Sequence, residues 1–408
     1  MTRRLPATTA LPLLLAVAMA LASGCSDKPA EDADTPRTSS DKPRKARLTL
    51  LWTARPTDKD DGFSASPAVS AGKIFLTSEN GVACAVSAAN GETLWKTKPA
   101  SGFSASPIEH GGKILIGSLD GTFLSLDSET GETLWKAEVG TKIAGRATVL
   151  ETEEGTFVFF GAYDKKTHCL DAATGEEKWT FETKGFINGH PVAVGGSVIF
   201  GGCDGYLRRH DALTGKTIWS FDAKSHIPAS PAVSGNRVFV ATHAGNVFAV
   251  SLDTGEKIWE FSDGESNPAF FAAPTAAEHA PIIVPSDDGA LYALSPATGR
   301  LLWKIKLPGV AKTPPLILDE HSAVVVDDSG ALSLLSLKDG ALLAEKKLGE
   351  PFENTPAALD GIIFAASEEG TLFAFNADGS EPTRPLETSG STSKHTAPGQ
   401  GKKPAPLP

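Results

Sequence analysis

The sequence predicts an all-β fold, an eight-bladed β-propeller of four-stranded antiparallel blades, and three observations predict it. A phrase that ends in tryptophan recurs along the chain, and consecutive tryptophans stand 40 to 44 residues apart. The seven are Trp52, Trp95, Trp135, Trp179, Trp219, Trp259 and Trp303. Short apolar runs separated by glycine-containing turns fill each interval, and one of these turns occurs eight times. A period near 40 residues is typical of propeller blades or helical repeats, and no window has the helical spacing of apolar residues.

Residues 230–259 show the four strands of one unit in order. The segment SPAVSGNRVFVATHAGNVFAVSLDTGEKIW contains the apolar runs PAV, RVFVAT, NVFAVS and EKIW. Turns with glycine, AG and DTG, separate the later runs, as expected for antiparallel hairpins. Each unit therefore predicts one blade, and the tryptophan belongs to its fourth, outer strand.

The turn between the second and third strands gives the number of blades. It reads Asn80-Gly81, Asp120-Gly121, Asp164-Lys165, Asp204-Gly205, Ala244-Gly245, Asp288-Gly289, Ser329-Gly330 and Glu369-Gly370. The strand after this turn is apolar at almost every position, which predicts burial on both faces. Its fourth residue after the glycine is Ala or Ser in most units. We expect the tryptophan to lie across the gap between blades and to fill the space that this small residue leaves. In the seventh unit Ala344 stands in the tryptophan position.

The two ends of the repeat region complete each other. The eighth unit has three strands and no tryptophan strand, whereas residues 47–55, RLTLLWTAR, are a tryptophan strand with no unit before it. We expect this N-terminal strand to join the C-terminal blade and close the ring, since closure removes the open sheet edges. The predicted propeller spans residues 47–379, and the polar segment at 380–408 has the composition of a disordered tail.

The repeated phrase resembles that of a known family. The pattern A-x-x-T-G-x-x-x-W after D-G-x-L-x-A-L is similar to the repeats of quinoprotein-type (PQQ-like) propellers. That family includes quinone-dependent dehydrogenases and the BamB family of outer-membrane assembly lipoproteins. The resemblance covers the whole repeat region and implies the fold, but a propeller frame hosts many activities.

The start of the chain predicts secretion and a lipid anchor. Residues 1–24 contain Arg3 and Arg4 and an apolar run from Leu11 to Ala22, which is typical of a signal peptide. The ending Ala22-Ser23-Gly24-Cys25 resembles a bacterial lipobox, so Cys25 is the predicted lipidation site. An ordinary signal peptide followed by a chance cysteine is the alternative. Ser26 follows Cys25, not the Asp that the resemblance associates with inner-membrane retention. We therefore expect an outer-membrane lipoprotein that faces the periplasm, with the polar residues 25–46 as its tether.

Charge and cysteine content restrict the function classes. The formal net charge is -11, which argues against unspecific binding of nucleic acid or anionic lipid head groups. Cys84 and Cys169 lie in apolar third strands and Cys203 lies beside a turn. They are interpreted as small buried residues, with a Cys169–Cys203 disulfide as the alternative.

Motifs for catalysis are lacking in the sequence. The resemblance implies that a quinone would need a tryptophan floor, a disulfide of adjacent cysteines and a calcium site. The sequence has no adjacent cysteines, and every tryptophan belongs to an outer strand. No zinc spacing or nucleophile motif is present. Asp287-Asp288 and Asp327-Asp328 are interpreted as turn residues, with a weak cation site as the alternative. We predict no enzymatic activity, no cofactor and no metal; a PQQ-dependent dehydrogenase or a ligand- or polysaccharide-binding propeller is the alternative.

One end of the predicted channel carries the candidate binding residues. The residue before the proline that opens each inner strand is small in most units, but two adjacent units have Arg146 and His190. The possible partner-binding rim consists of Arg146, Asn188, His190, His226, Lys312, Glu353 and Asn354. It is either a docking funnel or a solvated rim. Together with the family resemblance, it predicts a monomeric, BamB-like scaffold that supports assembly of outer-membrane β-barrel proteins through protein partners of the envelope, including the barrel-assembly machinery.

Overall fold

The computed structural model describes residues 46–59, 61–264 and 268–377, and these residues form strands and connecting loops only. Eight antiparallel sheets follow one another along the chain and surround a central channel, which confirms the predicted eight-bladed propeller. Across the described ranges, no helix has the length and apolarity that a membrane span requires. The predicted signal peptide, Cys25, the tether up to residue 45 and the tail lie outside the described residues.

The strands fall into blades numbered in chain order after the first strand. That strand is β1 (Thr49–Ala54). Blade one has β2 (Ala68–Ser70), β3 (Lys73–Thr77), β4 (Ala83–Ser87) and β5 (Thr93–Thr97). Blade two has β6 (Ile108–His110), β7 (Lys113–Gly117), β8 (Thr122–Asp127) and β9 (Thr133–Glu138). Blade three has β10 (Thr148–Thr152), β11 (Gly155–Gly161), β12 (Lys166–Asp171) and β13 (Glu177–Glu182). Blade four has β14 (Val192–Val194), β15 (Ser197–Gly201), β16 (Tyr206–Asp211) and β17 (Thr217–Asp222).

The second half of the ring repeats the same order. Blade five has β18 (Ala232–Ser234), β19 (Arg237–Ala241), β20 (Asn246–Ser251) and β21 (Lys257–Ser262). Blade six has β22 (Ile282–Pro285), β23 (Ala290–Leu294) and β24 (Leu301–Lys306). Blade seven has β25 (Leu316–Ile317), β26 (Ser322–Val326), β27 (Ala331–Ser336) and β28 (Leu342–Lys347). Blade eight has β29 (Ala357–Leu359), β30 (Ile362–Ala366) and β31 (Leu372–Asn376).

Strand β1 completes blade eight. It pairs antiparallel with β31, from Thr49 opposite Asn376 to Ala54 opposite Leu372, in a sheet of order β1-β31-β30-β29. The first strand of the domain therefore supplies the outer strand of the last blade, as the sequence predicts. The pairing covers a sheet edge that would otherwise expose free backbone groups.

Blade six departs from the four-stranded pattern. Its inner strand is reduced to a single bridge between Thr275 and Ile283. The segment between them carries His279 at φ 63°, a left-handed conformation that interrupts a strand. The Thr275 hydroxyl instead donates to the carbonyl oxygen of Pro315 at 2.8 Å, which ties this position to blade seven.

The tryptophans connect neighbouring blades through their indole nitrogens. Six of the seven indoles donate from Nε1 to a backbone carbonyl of the next blade. These acceptors are Ser128 for Trp95, Ala172 for Trp135, Ala212 for Trp179, Leu252 for Trp219, Pro296 for Trp259 and Leu337 for Trp303, at 2.8 to 3.3 Å. Among the indoles of the described residues, the exception is Trp52, whose Nε1 is buried without a hydrogen-bond partner.

The glycine of the repeated phrase is explained by the tryptophan one blade earlier. Gly131 has φ +74°, and a Cβ at this position would lie 2.5 Å from the indole of Trp95. Gly175 meets Trp135 in the same way, and Gly299 meets Trp259. A side chain would therefore displace the indole, so the glycine both turns the chain and admits the ring.

The small residue of the third strand leaves space for the tryptophan of its own blade. It lies directly opposite the tryptophan of its own blade, as Ala85 lies opposite Trp95. Phe75 flanks Ala85 on the other side, and the Phe75 and Trp95 rings approach to 6.2 Å. The small residue thus lets the two large rings meet across the blade, while the indole edge reaches the next blade.

Candidate functional site: the channel face

The hairpin turns and the loops that enter the inner strands form one end of the propeller, here called the channel face. In each blade, a turn residue donates its backbone N–H to a carbonyl of the incoming loop. Examples are Leu119 to Gly102 at 2.9 Å and Cys203 to Phe186 at 2.9 Å. Because turn and loop are bonded together, side chains from both segments surround the same entrance.

The entrance leads into a central cavity of about 610 Å³ that residues from all eight blades line. The residues before the inner-strand prolines, or their equivalents, all contribute to this lining. They are Ser66, Ser106, Arg146, His190, Ser230, Ala273, Thr313 and Thr355. The structure therefore places the predicted ring of positions on the channel.

Hydroxyl groups in this ring hold neighbouring blades together. The backbone N–H of Ser66 donates to Ser106 Oγ at 2.9 Å, and that of Thr355 donates to Ser66 Oγ at 2.9 Å. His190 N–H donates to Ser230 Oγ at 2.8 Å. Blade three has Arg146 at this position, so a guanidinium replaces the hydroxyl there.

Arg146 gives the channel an unpaired positive charge, and it acts on the neighbouring His190. Arg146 is exposed to the channel and has no hydrogen bond or ion pair to any residue that the structure describes. The surrounding channel walls partly desolvate the guanidinium and lower its pKa from the usual value, which still leaves it charged at neutral pH. Burial and the Arg146 charge lower the pKa of His190 to about 4. His190 is therefore neutral, and its Nδ1 lies 2.6 Å from Ser230 Oγ.

Two further polar groups near Arg146 lack partners. Asn188 lines the channel, and its Nδ2 lies 3.5 Å from Cys203 Sγ. Its Oδ1 is buried without a hydrogen-bond partner among the described residues, and so is the hydroxyl of Ser104, which also lines the channel.

The remaining predicted rim residues do not converge with Arg146. Lys312 lines the channel and forms an ion pair with Glu353 across blades seven and eight. His226 is exposed at the blade-five loop, where its ring lies 6.4 Å from that of His243. Asn354 is buried and bonds to the carbonyls of Phe63 and Ala366 at 2.9 and 2.8 Å. It therefore fastens the closure between blades eight and one instead of facing the channel.

Exposed aromatic residues on the channel face were missed by the sequence analysis. Phe186 is 42% exposed and stacks on Tyr163 at 5.0 Å, while Phe271 is 52% exposed and meets His243 at 5.1 Å. An alignment of the loops gives a signal for Phe186, because the equivalent position is glycine in blades one and two.

Other candidates have structural roles. Cys84, Cys169 and Cys203 are free, so the alternative disulfide does not form. Asp327 accepts backbone N–H bonds from Ser329 and Ala331 in its own turn, which supports the interpretation as turn chemistry. Throughout the described residues, no group of three or more His, Cys, Asp or Glu side chains has a metal-binding arrangement.

Comparison with known proteins identifies the class. Residues 103–393 match the family described as "Beta-alanine-activating enzyme, beta-propeller", so the chain belongs to this family of PQQ-like β-propellers. No curated protein matches the chain.

Solved structures share the fold at low sequence identity. BamB from Moraxella catarrhalis is 20% identical with a TM-score of 0.68, over 82% of this chain and 99% of BamB. The designed protein Ika8 is 17% identical with a TM-score of 0.69, over 80% and 99% of the two chains. Quinohemoprotein alcohol dehydrogenase from Comamonas testosteroni is 14% identical with a TM-score of 0.69, over 82% and 77%. These similarities show the fold alone, which is common to proteins of different function.

Proposed function

We propose that the protein is a non-enzymatic scaffold of the cell envelope that binds a protein partner at the channel face. The observation that carries this proposal is Arg146, an unpaired guanidinium that faces a cavity walled mainly by small residues. Such a group binds a carboxylate strongly, because charge and two parallel N–H donors act together. A partner's acidic side chain or C-terminal carboxylate fits this chemistry.

The entrance suits a protein segment. The exposed rings of Phe186 and Phe271 supply apolar contact of the kind that anchors protein interfaces. Lys142 and Lys165 lie over the rings of Tyr163 and Phe186, at 5.3 and 6.0 Å, and add positive charge beside them. An acidic or aromatic-rich loop would contact both the rings and the channel.

The predicted lipid anchor at Cys25 and the similarity to BamB support an envelope location. Within this proposal the protein is held in the outer membrane and faces the periplasm. Its partners belong to the machinery that assembles outer-membrane β-barrel proteins. A flexible tether of about 20 residues spans roughly 25 Å on average, which allows contact with a neighbour in the same membrane.

The channel residues do not fit the quinone of the dehydrogenase relatives. Six of the seven tryptophans lie on outer strands with their indole nitrogens bonded to the next blade, Trp52 lies on β1, and none lines the cavity. The three described cysteines are free and lie far apart in sequence. The aromatic floor and adjacent disulfide that the family resemblance implies for quinone binding are therefore not supplied by these residues.

Affinity purification from detergent-solubilised membranes tests the proposal. We expect the wild-type protein to recover outer-membrane barrel components and Arg146→Glu to lose them without a lower melting temperature, because an exposed charge contributes little to stability. Lys216→Glu, an exposed charge in a turn between a third and an outer strand, is the matched control and should keep the partners. Retention of every partner by Arg146→Glu would exclude the channel face as the docking surface. A chromophore after addition of quinone and calcium would exclude the non-enzymatic role.

A further inference from the structure

One side of the propeller's circumference exposes an unusual number of leucines. The outer strands of blades six, seven and eight contribute Leu50, Leu301, Leu302, Leu342 and Leu343, each 37 to 57% exposed. We call this set the leucine flank. These three blades are consecutive in the ring, so the side chains lie on one side of the molecule.

The leucine flank arises from a bulge that every outer strand contains and from a second exposed leucine in blades six and seven. Every outer strand has a register shift just before the tryptophan position, as between Ala293 and Leu294 in blade six. The extra residue of this bulge turns its side chain outward, and it is aliphatic in most blades. In blades one and two this gives one exposed leucine each, Leu94 and Leu134. Blades six and seven add a second leucine one residue earlier, Leu301 and Leu342, and blade eight has Leu50 at that position.

Charge on the flank differs from that of the molecule. The outer strands β24, β28 and β1 contain Lys304, Lys306, Lys346 and Lys347 and one acid, Glu345. Opposite them in the ring, the outer strands β9, β13 and β17 contain the acids Glu138, Glu177, Glu182 and Asp222 and the lysines Lys136 and Lys178. A net charge of -11 therefore conceals a basic side.

Most of the basic groups on this side are available to a partner. Lys304 forms an ion pair with Asp263 at 2.8 Å. Lys306, Lys346 and Lys347 have no ion pair to a described residue and are exposed. Arg47 and Arg300, next to the leucine positions of β1 and β24, are exposed as well.

The chain that leads to Cys25 enters the propeller on this side. Strand β1 begins at Thr49, within blade eight, and Leu50 follows directly. A lipid on Cys25 would therefore hold the leucine flank, more than any other part of the ring, close to the membrane.

We propose that the leucine flank rests on an anionic lipid surface. Exposed leucines beside unpaired lysines are the combination by which peripheral proteins bind such surfaces, through apolar burial and attraction to head groups. Each lysine near an anionic membrane strengthens association about fivefold. Leu342 lies opposite Leu335 and Lys347 opposite Ala331, so the bulge in β28 places these two side chains on the same face, from which both reach the interface. The contribution of the lipid anchor at Cys25 rests on the proposed function. The exposed leucines and lysines of the leucine flank do not depend on it.

The proposal fixes the orientation of the ring. Outer strands form the circumference, so a membrane on blades six to eight leaves both ends of the channel open. Arg146 lies on blade three and faces the channel, so it stays available to a partner.

Hydrogen exchange of the full chain tests this contact without any protein partner. We expect the backbone amides of β24, β28 and β1 to exchange several-fold more slowly on vesicles of phosphatidylglycerol and phosphatidylethanolamine than on vesicles of phosphatidylcholine. Leu301→Asp with Leu342→Asp should abolish this protection. Leu94→Asp with Leu134→Asp, equally exposed leucines on blades one and two, should keep it. Lys346→Gln with Lys347→Gln, a change at exposed polar positions, should also reduce it.

Three outcomes would overturn the proposal. One is equal exchange on both kinds of vesicle, and another is protection that the lysine variant retains in full. The third is protection that grows with protein concentration in the absence of lipid, which would assign the flank to a second copy of the chain. Loss of partner recovery by Arg146→Glu is measured separately, so either proposal can fail alone.

Discussion

Ala344 lies directly opposite Leu334 across β28 and β27, whereas in blade five Trp259 lies opposite Ala249. The large and small positions are exchanged between the two strands of blade seven. Leu334 is buried, so the space of the missing indole is filled from within the blade.

Ala344→Trp should therefore destabilise the protein. An indole opposite Leu334 would overfill the row, which typically lowers the free energy of unfolding by about 1–3 kcal/mol. Adding Leu334→Ala restores the arrangement of blade five and should recover part of the loss. Chemical denaturation of the two variants measures this coupling. A more stable single variant would show that the space is open.

Replacement of tryptophan by phenylalanine should cost more stability at Trp259 than at Trp52, because only the Trp259 indole donates a hydrogen bond. Trp259→Phe removes the bond to Pro296, whereas Trp52 has no acceptor for its Nε1. The Trp259→Phe variant should thus lose about 1 kcal/mol more of unfolding free energy than Trp52→Phe. Denaturant melts of both variants provide the comparison, and equal losses would contradict it.

Removal of β1 should open the ring. Deleting residues 46–55 exposes the edge of β31, whose residues Leu372–Asn376 are all buried. We expect a loss of several kcal/mol or aggregation, by the logic of unpaired edge strands. Deleting residues 26–45 alone should leave the melting temperature unchanged. If both truncations melt at the same temperature, β1 does not close the ring.

Arg146 should control the titration of His190. Its charge is the second cause, after burial, of the low His190 pKa of about 4. Arg146→Gln should raise that pKa, as followed by NMR of the imidazole ring, while Lys216→Gln should not change it. An unchanged pKa in Arg146→Gln would mean that burial alone sets it.

The same depressed pKa predicts a dependence of stability on pH. In the unfolded chain His190 binds a proton near pH 6.5, whereas in the folded protein it does so only near pH 4. The unfolded state binds more protons between these values, so stability should fall as the pH drops from about 7 to about 4. His190→Gln should lose less stability over this interval in thermal melts.

The repeat pattern predicts the blades, their number and the closure of the ring, because the tryptophan spacing and the turn residues can be read from the sequence alone. It does not predict that Leu334 compensates for Ala344. That relation depends on a bulge one residue before the tryptophan position, which sets which side chains oppose each other. The pattern also places Asn354 on the rim, although the structure buries it, because its amide donates to the carbonyls of Phe63 and Ala366. Pairs such as Phe186 and Tyr163 come from separate blades, so only the folded ring brings them together.

Because β1 pairs with β31, the ring can close only when both ends of the repeat region are present. Thr49 is among the first of the described residues to be synthesised and Asn376 is among the last, so the hydrogen bonds between β1 and β31 form only after the whole repeat region has emerged. A chain truncated at either end keeps an open edge, and open strand edges favour aggregation and proteolysis over function. Tension applied at the N-terminus acts first on this same pair of strands. The pairing of β1 with β31 is therefore both the final step of assembly and the first part of the propeller to bear a load applied at the N-terminus.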